Sequence, residues 1–121
     1  MTKITISGNA VNYEQGEMGL VEFHIKCKMV RDAIKKIREK VTENFENNPC
    51  VIIFQPNDEL TVETGTVSKQ RVLFGLEQIV VKTARQLCDD AALMVGNDDK
   101  RIEKYLDSII KQAQGHSNQY N

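Results

Sequence analysis

Along Gly19–Met29, GLVEFHIKCKM, apolar and polar residues alternate. Val21, Phe23, Ile25, Cys27 and Met29 fall on one side, and Glu22, His24, Lys26 and Lys28 on the other. A period of two with one apolar side predicts a strand half-buried in a sheet. Upstream, KITISG puts Ile4 and Ile6 on one face and predicts a second strand, with YEQGEMG supplying turn glycines between the two. The two strands are expected to pair as a hairpin or meander. The period then changes. Val30, Ala33, Ile34, Ile37, Val41 and Phe45 recur at helical spacing, and Asn47-Asn48-Pro49 closes that helix.

CVIIF (Cys50–Phe54) is an unbroken apolar run, the pattern of a central strand buried on both faces. Pro56-Asn57-Asp58 is turn chemistry, and ELTVET alternates again. SKQRVLFG predicts one more strand, closed by Gly75. From Leu76 the period is helical throughout. Leu76, Ile79, Val80, Ala84, Leu87, Cys88, Ala91, Met94 and Val95 line one stripe. Ile102, Tyr105, Leu106, Ile109, Ile110 and Ala113 line the next, with Gly96 ending the first helix and Asn97 capping the second.

The predicted order is β-β-α-β-β-β-α-α: an α+β fold with a mainly antiparallel sheet, helices on one face and a C-terminal helical hairpin. No linker or repeat divides it, so 1–121 is expected to be a single domain. Residues 1–75 would hold the sheet and one helix, 76–115 the hairpin, and 116–121 a frayed tail. Both C-terminal stripes are broad for so small a chain, which favours a homo-oligomer.

Composition narrows the function classes. The chain has 121 residues, 40% of them hydrophobic and 27% charged, enough for a core without disulfides. A net charge of −1 gives no global pull toward nucleic acid or anionic lipid. No apolar run is long enough for a bilayer, and MTKITISG lacks a signal peptide's apolar stretch, so the expectation is a cytoplasmic protein with no membrane partner. Cys27, Cys50 and Cys88 are spaced too widely for a CxxC site and fall at apolar positions, as small buried hydrophobes would.

Nothing in the chain reads as catalytic. There is no phosphate-binding or dinucleotide glycine motif, and neither His24 nor His116 stands at metal-ligand spacing from another His or Cys. His24, on the polar side of its strand, has nothing evident to orient it as a base. Asp89-Asp90 and Asp98-Asp99 offer only a weak basis for magnesium, so no metal, cofactor or enzymatic activity is expected.

The cations carry more information. Asp98 and Asp99 suit the positive end of a helix dipole, but Lys100 and Arg101 follow in the same turn, where they are disfavoured. A helix N-terminus reinforced by cations is suited to an anion. Arg71 and Phe74 end the last predicted strand and offer a guanidinium fork and an aromatic face at what could be the same edge. The expected ligand site is thus Arg71, Phe74, Asn97, Lys100 and Arg101, holding a small anionic, nucleotide-like ligand. Solvated charges are the plainer explanation of the same residues. Such a binder would suit a viral or mobile-element inhibitor that sequesters a signalling nucleotide, an analogy of style alone. Two alternatives remain open: a protein–protein inhibitor or scaffold using an exposed helical stripe, and single-stranded nucleic-acid binding by Lys26, Lys28 and Arg31. The second is not favoured, because that face has no aromatic residue for stacking.

Overall fold

The computed structural model describes residues 1–36, 49–55, 60–63 and 67–118. Its elements are β1 (Thr2–Ser7), β2 (Ala10–Glu14), α1 (Leu20–Lys36), β3 (Cys50–Phe54), β4 (Leu60–Glu63), α2 (Lys69–Val95) and α3 (Asp99–Asn118). The sheet is antiparallel throughout, in the order β2-β1-β3-β4. The α+β class and the C-terminal pair of helices therefore stand, with one strand fewer among the described residues than the pattern predicted.

Two predicted strands are helices. Gly19–Met29 falls almost wholly within α1, because a second apolar period runs through the same residues. Phe23, Cys27 and Val30 recur at i, i+4 and i+7 and are buried, while Met29 is 64% exposed. Glu22 pairs with Lys26 one turn on, at 3.8 Å. Ser68–Gly75 is likewise the opening of α2: the Ser68 hydroxyl accepts from the Arg71 amide at 3.3 Å and caps the helix. The hairpin partner of β1 is β2, reached through the two-residue turn Gly8-Asn9, with Gly8 at φ +56°. The predicted helical positions Ile37, Val41 and Phe45, with Asn47 and Asn48, lie outside the described residues, as does the Pro56-Asn57-Asp58 turn.

Strand register explains the layers. Ile4 stands opposite Ile52, Ile6 opposite Cys50, and Thr2 opposite Phe54, so one face of the two central strands is buried. Val11 and Tyr13 extend that face along β2. Against it lie Phe23, Cys27 and Val30 of α1 and Val72, Leu76, Ile79 and Val80 of α2. Phe23 is the hub, its ring 5.3 Å from Tyr13 and edge-on to Phe54 at 6.4 Å. The opposite sheet face carries Lys3, Thr5 and Ser7 beside Val51 and Ile53, which are only half-buried. CVIIF is thus central in the sheet without being sealed on both sides among the described residues.

α2 approaches the sheet closely because of Gly75. A Cβ there would meet Ile6 Cδ1 at 2.8 Å and Val11 Cγ2 at 3.2 Å. Gly96, at φ +89°, ends α2, its amide donating to the Ala92 carbonyl. α3 follows after three residues, touches both α2 and α1, and continues through 116–118, part of the expected tail. None of its side chains from Asp99 to Gln114 is fully buried.

Candidate functional site

The five residues expected to form one site do not converge. α2 has 27 residues and is about 40 Å long at the ordinary helical rise. Arg71 and Phe74 lie in its first two turns, whereas Asn97, Lys100 and Arg101 follow its far end. Reading Ser68–Gly75 as a strand had removed the intervening length.

Asn97 is not the cap of α3. Asp98 is: its Oδ1 accepts from the Lys100 amide at 3.0 Å, and its carbonyl accepts from the Ile102 amide. A carboxylate at the cap and Asp99 in the first turn offset the dipole that Lys100 and Arg101 oppose. Lys100 is exposed and is not among the residues lining the groove that Arg101 borders.

Arg101 belongs to an open groove of about 540 Å³ at the elbow between α2 and α3. Met94 and Val95 supply one wall; Arg101, Lys104, Tyr105 and Ser108 supply the other. The α3 residues stand at i, i+3, i+4 and i+7, so a single helical face presents them together. Sequence reasoning missed Lys104, Tyr105 and Ser108, although that spacing from Arg101 was the signal. Among the described residues no carboxylate lines the groove, and neither Arg101 nor Lys104 has an acidic partner. Leu93 (86% exposed) and Met94 (70%) add an apolar rim.

The other expected cations are elsewhere. Lys26, Lys28 and Arg31 lie on α1, not on a sheet face, and spread around the helix. Lys26 sits over the Phe54 ring, and Arg31 contacts Asp32 at 3.2 Å. The basic sheet face that a nucleic-acid reading needs is absent from the described strands.

His24 is also displaced from its expected place. It is buried on α1, its Nδ1 2.6 Å from the Thr83 hydroxyl of α2. Burial, with Lys28 and Arg31 nearby, holds its pKa below the ordinary histidine value. Burial pushes the Cys27 thiol up to about 12 and raises Cys50, which keeps both as inert thiols. Cys88, expected to be buried with them, is exposed. No cluster of three or more His, Cys, Asp or Glu side chains comes together among the described residues, and no described helix is long and apolar enough to cross a membrane.

No known protein family, curated protein or solved structure matches this chain.

Proposed function

We propose that this chain is a binding protein that sequesters a small anionic ligand, with nucleotides and cyclic nucleotides as the leading class, in the elbow groove between α2 and α3. One observation carries the reading: Arg101, Lys104, Tyr105 and Ser108 line one groove, with no carboxylate among its described lining residues. Arg101 and Lys104 supply charge-assisted hydrogen bonds to a phosphate. Tyr105 supplies an aromatic surface for a base, and Ser108 a hydroxyl donor. Met94 and Val95 supply the apolar wall common to small-molecule sites, and the volume lies within their usual range of about 300–1,000 Å³.

The test is thermal denaturation against a panel of nucleotides, cyclic nucleotides and inorganic phosphate. A ligand that binds only the native state raises Tm with concentration. The expected result is a nucleotide-dependent rise that Arg101→Ala and Lys104→Ala each abolish. Tyr105→Ala should weaken the nucleotide response while sparing the response to inorganic phosphate. Arg71→Ala, at the other end of α2, should leave the ligand-dependent rise intact. Flat melting curves across the panel would overturn the reading and turn attention to the Leu93–Met94 rim as a protein-contact surface.

A further inference from the structure

His24 and Thr83 join α1 to α2 by a chain of hydrogen bonds whose direction the chemistry fixes. The Thr83 hydroxyl has one proton and gives it to the Val80 carbonyl, 3.1 Å away. Its oxygen therefore accepts at 2.6 Å from His24, so Nδ1 carries the hydrogen and, in the neutral ring, Nε2 carries a lone pair. His24 is only 6% exposed and Thr83 1%, and among the described residues Nε2 has no hydrogen-bonding partner. The neutral ring leaves only a lone pair unmet at Nε2, whereas the charged ring would bury an N–H donor and a full positive charge there.

We propose that His24 and Thr83 form a pH-sensitive latch across the α1–α2 seam, closed while the imidazole is neutral and released when Nε2 takes a proton. Protonation leaves a buried N–H without an acceptor and places a third positive charge near Lys28 and Arg31 of α1. From α2 the facing group is the neutral Thr83 hydroxyl, and the charges acting on the ring are those of Lys28 and Arg31, both positive. The sign follows from linkage. A histidine whose folded pKa lies below the unfolded value, 6.5, gives its full stabilisation above about pH 6.5. That stabilisation is lost as pH falls from 6.5 to the lowered folded value. Over that interval the opening equilibrium rises by up to about tenfold per pH unit.

The decisive measurement is a ¹⁵N and ¹³C NMR titration of the His24 ring in a His116→Gln background, which removes the chain's other histidine. The expected result is an Nδ1–H tautomer at neutral pH and a midpoint below 6.5. An Nε2–H tautomer, or a midpoint at or above 6.5, overturns the latch. Hydrogen exchange of α1, corrected for the intrinsic pH dependence, supplies the second readout. Protection should fall between pH 7 and 5 in the wild type and stay level in His24→Gln. An equal acid response in both would also overturn it. If His24→Gln fails to fold, the ring titration decides alone.

Discussion

A methyl group at Gly75 would gain helix propensity and lose packing, and the distances decide between the two. Replacing an interior helical glycine by alanine is worth about 1 kcal/mol in an exposed helix. Here the added Cβ would stand 2.8 Å from Ile6 Cδ1 and 3.0 Å from Ile6 Cγ1, inside a closed core. Overpacking of that kind costs about 1–3 kcal/mol. Gly75→Ala should therefore destabilise the fold by about 1 kcal/mol, read as a lower urea midpoint. In an Ile6→Val background, which removes the nearest methyl, the same substitution should cost less. A rise in midpoint on the wild-type background would contradict the close approach of α2 to β1. The residue also shows where local sequence reading failed. Glycine after Phe74 looked like a strand stop, whereas its role is set by β1, seventy positions away in sequence.

Among the elements, α1 is the one that two periods describe equally well. Phe23 and Cys27 belong to both the alternating set and the helical set. Met29 belongs only to the first, and its exposure decides for the helix. This yields a contrast on one element. Phe23→Ala, emptying the hub of the core, should cost about 3–5 kcal/mol. Met29→Lys, on the solvent side, should change stability by less than about 0.5 kcal/mol. Comparable losses by chemical denaturation would return the two residues to one buried face and undo the helix. β2 was missed, although Gly8-Asn9, a two-residue hairpin turn between Ser7 and Ala10, was a signal for it. Its strand, AVNYE, is short and mostly polar, so the turn was the only strong signal. β1, β4, α3 and α2 from Leu76 onward were plain in the pattern because each has a single dominant period, and β3 because its apolar run is too short for a helix. The candidate site was legible only in part. Arg101 stood out by breaking the dipole rule, but its neighbours in the groove belong to the helical face running from it. Arg71 and Phe74 were assigned to it through a strand that is the first part of α2.

At the scale of the whole molecule, α2 meets every layer: the sheet at Gly75, α1 at Thr83 and α3 at the elbow. Stability is nevertheless concentrated on one side of it. The core cluster draws on β1, β3, α1 and α2, whereas α3 contributes only half-buried apolar residues from Ile102 to Ala113. Free energies of local opening follow such differences in buried contact. In native-state hydrogen exchange, amides of α3 should open well below the global unfolding free energy, while those of β1 and β3 should approach it. Uniform protection across α3 and the central strands would refute that ordering. If the ordering holds, the elbow groove lives on the least anchored of the three described helices. Occupancy would then tighten α3 far more than it tightens the sheet, and a partner that peeled α3 away could empty the groove and leave the rest of the protein standing.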